Sequence, residues 1–208
     1  VAFFLLTAFG IRMFQPQLGE KAYRSAVDKR AGLDRTEGLQ DGLYIALCGT
    51  GSPLPNPNRA GPCSIVVAGK HMFLVDAGEG SARNIALMGL PLGRLEAAFI
   101  THFHSDHLTG LPDLWLTGWL RPPYGQRQKP FLIYGPPGTK RLMEGLQTAF
   151  ADDIKIRLVD EQNPPAGIAV EAREFDAPAV VYERDGVKVT SFVVDHGDVI
   201  KPAVGYRI

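Results

Sequence analysis

The sequence predicts a layered α/β protein that carries its chemistry at the end of a strand. Three observations lead there. Short β-prone apolar runs alternate with segments at helical spacing from Leu43 onward, the pattern of strands and helices stacked in layers. The 208 residues are 45% hydrophobic, enough to fill the core of one large domain or two small ones. Three of the five histidines fall within six consecutive positions, at the point where an apolar run stops.

The chain opens on Val1 to Ile11, almost purely apolar and followed by Arg12. Eleven residues are too few for a bilayer, which needs about 20, so residues 1–14 are expected to be the end of a membrane anchor or an uncleaved signal segment. A core helix is the alternative. Residues 15–41 read as a polar linker, with Leu18, Ala22, Tyr23 and Ala26 at helical spacing between Pro16 and Arg35. The folded domain is expected over residues 42–208. The N-terminal run makes a membrane-anchored or exported protein the expected localisation, with a cytoplasmic one as the alternative.

Leu43 to Cys48 reads as the first strand, and Gly49-Thr50-Gly51-Ser52-Pro53 as a tight loop extended through Gly61. Cys63 to Ala68 and Met72 to Asp76 follow as two strands joined by Gly69-Lys70-His71, a hairpin turn that would make His71 a turn residue. Core thiols are the default for Cys48 and Cys63. A disulfide between them needs an oxidising compartment and close backbone approach, and neither is readable from sequence. Asp76, before Ala77-Gly78-Glu79-Gly80, can accept loop amides or orient a metal ligand, or it can cap the helix expected over Ser81 to Gly89. Leu95 to Ile100 is the strand that delivers the histidine cluster. Leu111 to Leu120 is a helix with a wide apolar face, whose Trp115 and Trp119 either pack or line a cleft. Phe131 to Tyr134 is a strand, Thr139 to Phe150 a helix, and Ile154 to Val159, Ala169 to Phe175 and Val187 to Val194 are further strands, the last preceded by a turn at Glu183-Arg184-Asp185-Gly186.

With 22 basic and 22 acidic residues the formal net charge is +0, so no global field would hold the chain on nucleic acid or an anionic membrane. Nucleic acid is therefore not indicated by charge; membrane attachment through residues 1–14 and a homodimer are the partner expectations at this point.

The cluster itself is Thr101-His102-Phe103-His104-Ser105-Asp106-His107. His102 and His104, two apart, project to one side of extended backbone. Asp106 and His107 follow where the chain turns, so two metal positions are the natural reading. Imidazoles with a carboxylate suit zinc in a catalytic site that keeps a position open for water, and the cysteine-rich set of a closed structural site is absent. His196 ends the last apolar strand in Phe192-Val193-Val194-Asp195-His196 and is the remaining candidate ligand.

His102-x-His104-x-Asp106-His107 resembles the signature of the metallo-β-lactamase superfamily. The surrounding motifs are similar to its ribonuclease Z branch: Gly49 to Pro53, Phe73 to Gly80, Ile100 to His107 with Gly110-Leu111-Pro112, Ile133 to Pro136, and His196 with Pro202 to Ile208. The resemblance implies an αββα sandwich with a dinuclear zinc site at one edge of the paired sheets. His102, His104 and His196 would hold one Zn2+, and Asp106 and His107 would contribute to the other. Asp106 is also the residue expected to orient or deprotonate the attacking water, as the catalytic group of a zinc-dependent hydrolase of phosphodiester or related ester bonds, and the resemblance implies a small-molecule or nucleotide-type ester as the substrate. The bridging Asp and further His of that family fall outside this sequence, which points to the first half of a longer enzyme. An exported lactamase-like or arylsulfatase-like hydrolase is one alternative. A non-catalytic, membrane-anchored metal-binding protein is another.

Overall fold

A computed structural model describes residues 15, 19–25, 33–121 and 125–208. The expectation of an anchor or signal segment in residues 1–14 lies outside the described residues. Among those described, no helix is long and apolar enough to cross a membrane. Residues 19–25 (α1) are helical and exposed. Residues 33–41 are tied to the domain: Asp34 accepts hydrogen bonds from Thr36 and from the guanidinium of Arg94, and the Arg35 amide donates to Gly89 O at 2.9 Å.

Strands β1 (Leu43–Gly49), β2 (Cys63–Ala68), β3 (His71–Val75), β4 (Ala97–Phe99), β5 (Phe131–Gly135) and β6 (Val170–Glu174) form one sheet in that order. The first two pairings are antiparallel and the next three parallel. Helices α2 (Ser81–Leu87), α3 (Leu111–Trp119), α4 (Thr139–Ala149) and α5 (Ala151–Val159), with the single turn α6 (Pro165–Ile168), fill the crossovers. Strands β7 (Ala179–Arg184), β8 (Val187–Val193) and β9 (Val204–Arg207) form a second, antiparallel sheet.

Period-2 alternation places a strand's side chains on two faces, and both faces of β2 to β5 are buried, while β1 at the sheet edge leaves Leu43, Ile45 and Leu47 exposed. Ile65, Met72, Leu74, Ala98, Ile100 and Ile133 meet the helical layer in one core. Val66, Phe73, Phe99 and Tyr134 point the other way, against Tyr182 and Val189 of the second sheet. Phe73 and Phe99 lie 5.6 Å apart, and Tyr206 of β9 stacks obliquely on Phe99 at 5.1 Å. Helix, sheet and sheet are thus three of the four layers that the resemblance implies.

Four expectations need correction. Ile154 to Val159 is helical, not a strand: Ile154 and Leu158, four apart, pack on the helix-side core, and Arg157 bridges Asp153 and Glu161 one turn either side at 3.0 and 2.9 Å. The Ile-Lys-Ile-Arg-Leu alternation mimics a strand, but spacing at i and i+4 fits equally and the helix wins. His71 opens β3 instead of occupying the turn and is buried, its Nδ1 3.2 Å from the Tyr182 hydroxyl across the two sheets. Cys48 and Cys63 are not free thiols but a disulfide, with Cα atoms 5.0 Å apart at the end of the β1–β2 ladder. Glu183 and Arg184 belong to β7, and the turn is the two residues Asp185 and Gly186, both at positive φ (51° and 83°) as a tight hairpin requires.

Trp115 and Trp119 are fully buried, their indoles donating to the Ile168 and Pro164 carbonyls. Their role is packing.

Candidate metal centre

Parallel strands β3 and β4 end side by side, so the loops at their carboxyl ends share one edge of the sheet, the usual place for a site in α/β folds. Asp76 follows β3 and the histidine cluster follows β4. After Ile100 and Thr101 the backbone stays extended through His104 (φ −65°, ψ 143°), then makes a single 3-10 turn over Ser105–His107. This local change places His102 and His104 on one side and swings Asp106 and His107 round beside them.

The Asp76 loop and the histidine loop interlock through glycine. A Cβ on Gly110 would fall 1.9 Å from Gly78 O, and one on Gly78 would fall 2.4 Å from Asp106 O. Only glycine permits so close a backbone approach. Asp76 itself sits at φ 58°, a left-handed conformation that Asp tolerates better than most residues. That turn aims its carboxylate into the histidine loop: Oδ1 accepts the Thr101 amide at 2.9 Å, and Oδ2 accepts the Thr101 hydroxyl at 2.8 Å and lies 2.7 Å from His107 Nδ1. Asp76 therefore accepts a loop amide and contacts His107, and it does not cap helix α2, whose N-cap is Gly80 without a side-chain bond.

The imidazoles converge. His102 Nε2 is 3.0 Å from His104 Nδ1, and the His196 ring, arriving from the end of β8, lies 4.6 Å from His102 and 5.2 Å from His104. One ligand atom from each of these three residues falls within 4.8 Å of the others. The His107 ring is 4.2 Å from that of His102, and its Nε2 is 3.8 Å from Asp106 Oδ2. All five sequence-predicted residues therefore meet at one edge, His102, His104 and His196 as a tight trio and Asp106 with His107 as a neighbouring pair. Burial, together with the positive charge that His107 and His196 would carry, pushes His102 down to about 4, so its ring is neutral at ordinary pH and free to act as a ligand. Burial also pulls His107 down, but the Asp76 hydrogen bond and the charges of Asp76 and Asp106 outweigh it, and its affinity for a proton is raised.

Tetrahedral zinc with Zn–N bonds of about 2.0–2.1 Å holds its nitrogens about 3.3 Å apart. The 3.0 Å approach of His102 Nε2 and His104 Nδ1 is close to that separation. The donor set of this chain thus fits a divalent ion at the trio.

Sheet two is locked to the site as well. The Val204 amide donates to Thr101 O at 3.0 Å, and the Tyr206 hydroxyl donates to Ile100 O at 2.6 Å. Beside Asp106 opens a cavity of about 600 Å3, walled by loop 52–59 on one side and by Glu79, Ser105, Asp106 and Thr109 on the other. Sequence reasoning missed this wall. The run of prolines and asparagines in the loop was the available signal, since such residues hold a loop's shape without a core.

The metallo-beta-lactamase superfamily model matches residues 57–199. The chain belongs to that superfamily. Among curated relatives, ribonuclease Z of Mycobacterium marinum is 37% identical over 166 residues, 80% of this chain and 58% of that protein. Ribonuclease Z of Mycobacterium bovis is 40% identical over 167 residues, with the same two coverages of 80% and 58%. The resemblance to the ribonuclease Z branch therefore holds, and the chain spans about 58% of the length of these relatives. Among solved structures, the short form of human tRNase Z superposes with a TM-score of 0.59 at 22% identity, over 78% of this chain and 62% of that one. A diphosphatase of the PhnP family gives 0.56 at 20% identity, over 80% and 62%.

Proposed function

We propose that this chain carries the zinc-binding half-site of a ribonuclease Z-like hydrolase that cleaves phosphodiester bonds in RNA. The observation that carries the reading is the convergence of His102, His104 and His196, from opposite sheets, on one point. In this reading His102 Nε2, His104 Nδ1 and the His196 ring hold one ion, and His107 Nε2 with Asp106 contributes to a second. A bound zinc ion would lower the pKa of a water from about 15.7 to about 7, making a nucleophile available at neutral pH. Asp106 borders both the imidazoles and the cavity, so its carboxylate orients the attacking water and takes its proton. Asp76 holds His107 in place from behind. The cavity wall offers Arg59, a cation, together with the hydroxyls of Ser105 and Thr109, groups suited to a phosphate. The relatives' names support RNA as the substrate, and the sequence expectation of a small-molecule ester finds no support among them.

The test uses the enzyme completed by the second-half residues that the family resemblance implies, with zinc or manganese added. Turnover of bis(p-nitrophenyl) phosphate and of a precursor transfer RNA is expected, with His104→Ala losing both. No turnover with either metal, or unchanged turnover in His104→Ala, overturns the reading. The Cys48–Cys63 disulfide favours a second reading that keeps the chemistry and moves the enzyme to an oxidising compartment, as an exported or anchored hydrolase of a smaller ester. Cleavage of the p-nitrophenyl ester without cleavage of RNA would select it, and nitrocefin cleavage would mark it as lactamase-like.

A further inference from the structure

We propose that Thr101 is a positioning residue that fixes the tautomer of His102, so that one carboxylate, Asp76, aims two ligand histidines at once. The inference rests on the metal reading above and goes beyond it, since nothing in the motif's metal ligands assigns Thr101 a part.

The argument is one of donors and acceptors. A carboxylate oxygen only accepts, so the Thr101 hydroxyl, 2.8 Å from Asp76 Oδ2, spends its single proton there. The hydroxyl oxygen then has only lone pairs left to offer. His102 Nδ1 lies 2.9 Å from that oxygen, and two lone pairs facing each other would repel, so Nδ1 must be the nitrogen that carries hydrogen. The lone pair of a neutral imidazole is then on Nε2, which is the nitrogen 3.0 Å from His104 Nδ1 and within the trio. The same Asp76 Oδ2 accepts from His107 Nδ1 at 2.7 Å, which leaves the His107 lone pair on Nε2, the nitrogen nearer Asp106. A direct bond thus aims one histidine, and a bond relayed through threonine aims the other.

The geometry is held independently of the hydroxyl. The Thr101 amide donates to Asp76 Oδ1, and the Thr101 carbonyl accepts from Val204. Thr101→Val therefore keeps the backbone anchors and the β-branched shape while removing only the relay, and Thr101→Ser keeps the relay while removing a methyl group. Hydrogen-bond partners behind metal-binding histidines typically change metal affinity 10–100-fold.

The experiment measures zinc affinity of the whole chain by competition with a chromophoric chelator, the urea midpoint of the metal-free protein, and the ring 15N shifts of His102. We expect Thr101→Val to bind zinc about 10–100-fold more weakly, Thr101→Ser to bind within about 3-fold of the wild type, and both metal-free variants to keep a cooperative urea transition, that of Thr101→Val at lower urea. In the metal-free wild type, His102 should carry its hydrogen on Nδ1. Equal zinc affinity in Thr101→Val and wild type overturns the inference while leaving the metal reading standing. A wild-type His102 with its hydrogen on Nε2 overturns it without any variant, even if Thr101→Val fails to fold. A wild type that binds no zinc sinks the metal reading and this inference with it.

Discussion

Replacing Asp76 separates its two duties, stabilising the loop and aiming the histidines. In Asp76→Ala, three donors lose their acceptor together: the Thr101 amide, the Thr101 hydroxyl and His107 Nδ1–H. Each unsatisfied donor costs about 1–3 kcal/mol when water cannot reach it. The Asp76 side chain is 7% exposed, but that of His107 is 20% exposed, so water recovers part of the third loss. Alanine is also less at ease than Asp at φ 58°, a further ~1 kcal/mol. The expected destabilisation of the metal-free protein is on the order of 3–5 kcal/mol. Asp76→Asn keeps the shape and tolerates the backbone, and should lose about 1–2 kcal/mol. Its amide nevertheless places N–H groups opposite a donor in either orientation. With the amide nitrogen at the Oδ2 position, His107 relieves the clash by moving its hydrogen to Nε2, where it blocks metal binding. Asn should therefore be nearly as stable as the wild type yet deficient in bound zinc. Urea unfolding followed by the fluorescence of buried Trp115 and Trp119, with zinc counted by mass spectrometry, measures both. An alanine variant within ~1 kcal/mol of the wild type, or an asparagine variant with full zinc content, would refute the reasoning.

Three other perturbations have defined outcomes. Removing the disulfide by Cys48→Ala with Cys63→Ala frees a loop with a sequence separation of 15, for which loop entropy predicts a loss of about 3 kcal/mol; a melting temperature equal to the wild type's would show that the loop is held by other means. Glu96 ties Lys129 and Arg184 together at 2.7 and 3.0 Å. Burial alone would raise its pKa, but the Lys129 hydrogen bond and the charges of Lys129, Arg184 and His71 hold it below the ordinary 4.5. A lowered carboxylate contributes stability that is present above the unfolded value and lost as pH falls through the folded one. Glu96→Gln should therefore be less stable at pH 7 and lose less than the wild type on acidification below 4.5; parallel pH curves for the two proteins would contradict this. Arg127→Met deletes the buried guanidinium that donates to Gly167 O and Trp115 O and lies over the Phe131 ring at 4.9 Å; a loss of about 2–3 kcal/mol in urea is expected, and no loss would mean that water replaces it.

The parts legible in the sequence were those where one local pattern decides the outcome. Short apolar runs gave β1, β2, β3, β5 and β6 to within a residue at either end and β4 at half its expected length, and the spacing of His102, His104, Asp106 and His107 pointed to the cluster that the fold gathers at one sheet edge. His196 was readable because it repeats the geometry of a histidine at a strand end. What stayed hidden depends on contacts distant in sequence. His71 looks like a hairpin residue until Tyr182, 111 positions away, supplies its partner. Arg127 sits in a polar loop by composition, and nothing local says that Trp115 and Gly167 will enclose it. Cys48 and Cys63 pair only because the β1–β2 register sets their neighbours opposite each other. The α5 segment fits two periods at once, and only packing chooses between them.

His102 and His104 leave the first sheet while His196 leaves the second, so an ion shared by the three would act as a rivet through both layers. Loading would then add its binding free energy to the stability of a chain that already folds without the ion. In a cell short of that metal the same polypeptide would open more often and meet proteases more often, so supply of the ion would bear on how much of the protein persists.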